Sequence, residues 1–167
     1  MPPDSDRLIE AALARIDETG APADRILKDV LRRNPHLDDA GRRRVSLGVH
    51  GVRCLEGRLV HRLRALGRPT DPAHRWAAYR VDRLGEDAAL GLEPGRWARL
   101  GWPTDPVGRL SAEASLPPWL AQRWIAAYGA ASAMRLAAAG NRPGPVTVRA
   151  RRRGRSAPEA RAALRAR

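Results

Sequence analysis

From Val45 to Leu66 the apolar residues Val45, Val49, Val52, Leu55, Leu59, Leu63 and Leu66 follow one another at spacings of three and four. A strand would place its apolar residues two apart. A period near 3.6 keeps them on one side of a helix. The stripe therefore commits the middle of the chain to helix packed against helix. Gly48, Gly51 and Gly57 lie inside it. Each costs up to about 1 kcal/mol of helix propensity, so a close helix crossing or a kink has to justify them. A kink near Gly57, dividing the stripe into two helices, is the expected solution. Asp38 or Asp39 is placed to cap the start.

The aromatic residues reinforce this. The chain has no Phe, and all its Trp and Tyr lie between Trp76 and Tyr128. The first 75 residues must build a core from Leu, Val, Ile and Ala, a set suited to closely packed helices. A helix over 5–19 is expected from Leu8, Ile9, Ala12, Leu13 and Ile16, with Ser5 as its cap. A second, over 22–33, carries Ile26, Leu27, Val30 and Leu31 and stops at Asn34-Pro35. Residues 67–72 form a loop, and 73–84 a helix with Ala77, Val81 and Leu84 inward. Residues 85–103 are poorly patterned. Helix starts follow at Thr104-Asp105-Pro106 and at Ser115-Leu116-Pro117-Pro118. The second leads through Trp119, Leu120, Trp124, Ile125 and Tyr128 to Gly129. An Ala-rich helix over 130–139 ends at Gly140. Beyond a rigid turn at 141–145, Val146-Thr147-Val148-Arg149 gives the one clean strand signal. Ser156 and Glu159 form a capping box. The expectation is an all-α bundle over 1–103, a helical linker over 104–140 and, over 141–167, the start of an incomplete α+β domain.

Charge bounds the function. The 167 residues carry a formal net charge of +13. Residues 142–167 hold nine Arg against Glu159 alone, so this stretch carries most of the excess. Such a patch attracts phosphate backbones by counterion release. No apolar run approaches the roughly 20 residues that span a bilayer, and the start lacks a secretory apolar core. A cytoplasmic protein without membrane partners is expected. A single cysteine, Cys54, excludes an intramolecular disulfide and any multi-cysteine zinc site. His50 and Cys54 are four apart, a permitted metal spacing, but two ligands make no site. Phosphate-loop and nucleophile-elbow motifs are absent, and Glu86-Asp87 reads as a solvated acidic pair. No catalytic residue, cofactor site or metal site is assigned.

Cations are the remaining candidates. Arg42, Arg43 and Arg44 stand in the first turns of the long helix, where positive charge opposes the helix dipole. Either Asp38 and Asp39 compensate, or a bound phosphate does. Arg53 continues the basic character. At the other end Arg149, Arg151, Arg152, Arg153 and Arg155 fall within seven residues. On an extended strand Arg149, Arg151 and Arg153 would share one face, roughly 7 Å apart, matched to successive phosphates.

Two segments resemble a known family. Residues 24–66 resemble the core of a NusB-like RNA-binding domain, with an Asp24-Arg25 helix start and the run Leu47-Gly48-Val49-His50-Gly51-Val52-Arg53. Residues 115–149 resemble the linker and first strand of bacterial RsmB-type rRNA cytosine-C5 methyltransferases, through Ser115, Pro117, Trp119, Leu120, Arg123, Trp124, Tyr128, Gly129, Asn141, Pro143, Pro145 and Arg149. The resemblance implies an RNA-binding front end that positions small-subunit rRNA. In that family, S-adenosylmethionine and two catalytic cysteines belong to a further domain, which this chain is expected to lack. The alternative is a free-standing NusB-like factor in transcription antitermination, which would have no need of the 115–149 linker.

Overall fold

The computed structural model describes residues 4–86 and 90–142, together with residues 158 and 162. Among these residues there are nine α-helices and no strand. The expected strand at 146–149 and the capping box at 156–159 lie outside the described residues, as does any α+β domain.

The apolar stripes decide how the helices pack. Helix α1 (Asp4–Thr19) buries Ile9, Ala12, Leu13 and Ile16. Ser5 is not its cap: it sits inside the first turn and is itself buried. Helix α2 (Ala23–Arg33) buries Ile26 and Leu27. Helix α3 (Asp39–Cys54) is capped by Asp38, whose carboxylate accepts the Gly41 N–H at 2.7 Å. Its inner face is Val45, Gly48, Val49 and Val52. The stripe breaks into two helices near Gly57 as expected, at Leu55 (φ −109°, ψ 14°), two residues before it. Helix α4 (Glu56–Ala65) continues it with Leu59 and Leu63.

The glycines serve close approach. A Cβ on Gly48 would stand 2.5 Å from Ile9 Cδ1 of α1 and 3.1 Å from the Trp76 ring. One on Gly51 would enter the Tyr79 ring, and one on Gly57 would stand 3.3 Å from Ser115 Cα. Both solutions open to the sequence are therefore used, at different places.

Helix α5 (Pro72–Tyr79) is capped by Asp71, which accepts the His74 N–H at 2.9 Å. It runs into a π turn, Arg80–Leu84, closed by Gly85 at φ 64°. The extra residue in a π turn rotates the following side chains off the α-helical face. Val81 stays buried, but Leu84, expected inward, is exposed. The weakly patterned stretch that follows contributes the short helix α6 (Pro94–Ala98) and two core residues, Leu92 and Trp97.

Two apolar cores result. The larger joins α1–α6 through Ile9, Leu13, Val49, Leu59, Leu63, Trp76 and Trp97. The smaller joins α7 (Pro106–Ala114), α8 (Pro118–Tyr128) and α9 (Ala130–Gly140) through Leu110, Ala114, Ala121, Ala133 and Ala137. Ser115, expected to open α8, instead ends α7 at φ 57°. Its hydroxyl accepts the Arg58 N–H at 2.9 Å, which ties the second core to α4.

Candidate nucleic-acid interface

The expected cations divide into those held by carboxylates and those left open. Arg44 is held. Its Nε donates to Asp6 at 2.9 Å, its Nη2 lies 3.6 Å from Glu86, and its guanidinium lies 5.6 Å from the centre of the Trp76 ring. The Asp6 hydrogen bond raises its pKa further. Arg44 is thus a bridge from α3 to α1 and to Glu86 just past the π turn, not a free phosphate donor. Glu86 likewise is no solvated acid, since it accepts from Arg80 Nε at 2.6 Å. Arg53 pairs with Glu56 and lies 4.0 Å from Asp17, so its charge is largely answered.

Arg42 and Arg43 remain. Arg42 reaches the Leu31 carbonyl with Nη1 at 3.4 Å, a long hydrogen bond. Arg43 is exposed and has no ion-pair partner among the described residues. Asp38 satisfies a helix amide, not a guanidinium. Arg149, Arg151, Arg152, Arg153 and Arg155 lie outside the described residues.

The hydrogen bond from Arg42 to Leu31 leads to a basic groove that no motif of the sequence marks. It joins the start of α3 to the end of α2, and α2 is basic along its outer side. Arg25, Lys28 and Arg32 recur at i, i+3 and i+7, one helical face, with Arg33 beside them. Together with Arg15 of α1 they line a groove of about 310 Å³. Asp29 is the one carboxylate in that lining. It accepts from Arg15 Nη1 at 2.5 Å, Arg32 Nη2 at 2.8 Å and Arg33 Nε at 3.2 Å. The donors from Arg15 and Arg32 hold its carboxyl down to about 2. Arg32 and Arg33 keep 76% and 67% of their side-chain surface open. The helical spacing of basic residues in 25–33 is the signal that points to this face. The apolar face of the same helix, which carries the fold, masks it.

Two other depressions are lined by fewer cations. A depression of about 240 Å³ beside Arg83 and Arg142 also holds Glu113. A shallower one of about 510 Å³ between α4 and α7 is mostly small and proline residues. His50 lies 3.3 Å from Asp24, and among the described residues no group of three or more metal-ligating side chains converges. No described helix is long and apolar enough to cross a membrane. A scan against protein-family models, a search of curated proteins and a search of solved structures each found no match.

Proposed function

We propose that this chain binds RNA through its phosphate backbone, on the α2–α3 side of the bundle. We further propose that it serves as the rRNA-holding N-terminal region of an S-adenosylmethionine-dependent rRNA cytosine-C5 methyltransferase, with small-subunit rRNA as its partner. The observation that carries the reading is the open positive charge along α2 and the start of α3. Arg25, Lys28 and Arg43 have no carboxylate partner among the described residues, while Arg15, Arg32 and Arg33 share Asp29. Guanidinium groups with free N–H donors suit phosphate oxygens.

The chain's share in such a reaction is to bind and orient RNA. Cys54 is exposed at the end of α3, on the bundle itself. The α7–α9 unit, with its own apolar core, favours the methyltransferase reading over a free-standing antitermination factor, which needs no such appendage.

Filter binding of the whole chain to small-subunit rRNA fragments across a salt series tests the RNA reading. Binding at low salt is expected, with log K falling linearly with log salt at roughly 0.7 per neutralised phosphate on single strands. Absence of binding at low salt, or affinity indifferent to salt, overturns it.

A further inference from the structure

We infer that the groove between α1 and α2 is a backbone-phosphate site, in which Arg25, Lys28, Arg32 and Arg33 meet RNA while Asp29 holds the two arginines in place. This rests on the RNA reading above and narrows it to the groove lined by Arg15, Arg25, Lys28, Arg32 and Arg33.

The charge balance of the groove calls for an anion. Five cations, Arg15, Arg25, Lys28, Arg32 and Arg33, line it with one carboxylate, leaving a local surplus of four. Like charges gathered in this way repel unless negative charge answers them. The described residues lining the groove supply a single one. A polyanion would complete the balance.

The hydrogen-bond donors point the same way. An arginine has five N–H donors in a planar fork. Asp29 takes one from each of Arg15, Arg32 and Arg33, from Nη1, Nη2 and Nε respectively. The other donors of Arg32 and Arg33 remain, on side chains that are mostly open to solvent. Asp29 itself is covered, with 16% of its side chain exposed. It lies beneath the guanidinium groups it holds, so an incoming phosphate meets donors before it meets the carboxylate. Fixing two long side chains in advance lowers the ordering cost of binding. Asp29 therefore orders Arg32 and Arg33 in the free protein, while its charge restrains the affinity for an anion, and the charge effect is the larger.

Size and direction select a chain of phosphates. Arg25 to Arg32 spans about 10 Å along the helix axis, enough for more than one. The hydrogen bond from Arg42 to Leu31 carries the basic surface on to Arg42 and Arg43 at the start of α3. A run of cations along a helix and around a corner suits an extended polyanion better than a single small anion.

The test uses the whole chain and three variants in salt-series filter binding with single-stranded rRNA fragments. Arg25→Gln/Lys28→Gln changes two exposed side chains that make no ion pair among the described residues. It is expected to keep the wild-type melting temperature and to flatten the slope of log K against log salt by roughly 0.7 for each phosphate no longer neutralised. Arg32→Gln/Arg33→Gln is expected to flatten it comparably. Asp29→Asn removes one negative charge and keeps the shape, so RNA should bind about fivefold tighter at low salt, an exposed-pair effect in size. If wild type binds RNA but the Arg25/Lys28 variant keeps its slope, the groove inference falls and the RNA reading stands. If wild type does not bind RNA, both fall. Sedimentation with phosphatidylglycerol vesicles forms a parallel arm: capture that is abolished in the Arg25/Lys28 variant, without RNA binding, assigns the groove to a membrane surface and overturns the inference. Should Asp29→Asn melt early, the Arg25/Lys28 variant decides alone.

Discussion

Arg75 shows how this chain uses arginine inside the fold as well as outside it. Its guanidinium is buried, with 5% of the side chain exposed, and bridges Asp17 of α1 to Glu56 of α4. Removing one partner of such a pair leaves the others unanswered and typically costs several kcal/mol. Arg75→Ala is expected to lose about 3 kcal/mol in urea denaturation, and Arg75→Met, which keeps the apolar stem, clearly less. Asp29 makes a sharper case because its effect has a pH window. Its folded carboxyl is held below the ordinary 3.8, at about 2, by donors from Arg15 and Arg32. A depressed folded pKa stabilises fully above the unfolded value, and that stabilisation is lost as pH falls through the folded value. The stability difference between wild type and Asp29→Asn is therefore expected to shrink as pH drops from 3.8 toward 2. Denaturation curves at successive pH values check this, and a difference that stays constant through the window contradicts it. Residue roles of this kind were the least legible part of the sequence. Arg42, Arg43 and Arg44 are adjacent and chemically identical, yet Arg44 alone meets Asp6, 38 positions away. Only the crossing of α1 over α3 decides that.

At the scale of the element, legibility was much better. The periodicity of 45–66 reports an apolar face, and Val45, Val49, Val52, Leu55, Leu59 and Leu63 are buried as read. The break at Leu55 was readable only to within two residues, because the spacings from Val52 to Leu59 run on through it without a fault. The π turn was hidden for the opposite reason. It is a change in register, and composition carries no mark of that. The helical glycines were half legible: their cost in propensity demanded a reason, but the reason required the partner's side chain. Gly51 faces the Tyr79 ring, so Gly51→Ala is expected to destabilise by about 2 kcal/mol through overpacking. Combining it with Tyr79→Leu should recover part of that loss, since residues that touch do not contribute additively. Thermal melts of the two single variants and the double variant give the coupling directly; strict additivity would mean that the ring and the glycine do not compete for space.

Across the whole molecule, α4 is the shared element, packed on α5 in the larger core and on α7 in the smaller. Arg58 makes the join polar as well as apolar. Its backbone N–H goes to Ser115, its side chain to both oxygens of Asp82 at 2.8 and 3.0 Å, and its Nη1 to the Glu113 carbonyl. Behind it Arg62 is buried against two indoles, 5.4 Å from the Trp97 ring centre and 4.3 Å from that of Trp102. This arrangement pins the stretch after α6 onto α4, which explains how a segment with almost no pattern takes a defined place. It also gives the protein an uneven optical character. Trp76 reports from the larger core, Trp97 and Trp102 from the arginine stack, Trp124 from the smaller core, and Trp119 from the solvent. Helices α1, α2 and α3 contain no indole or phenol, so emission sees them through Trp76, against which Gly48 and Arg44 lie, and through Tyr79, which Gly51 faces. An RNA chain settling along α2 would leave the fluorescence of the protein nearly silent, and a label or an indole placed on that helix is what would make the encounter visible.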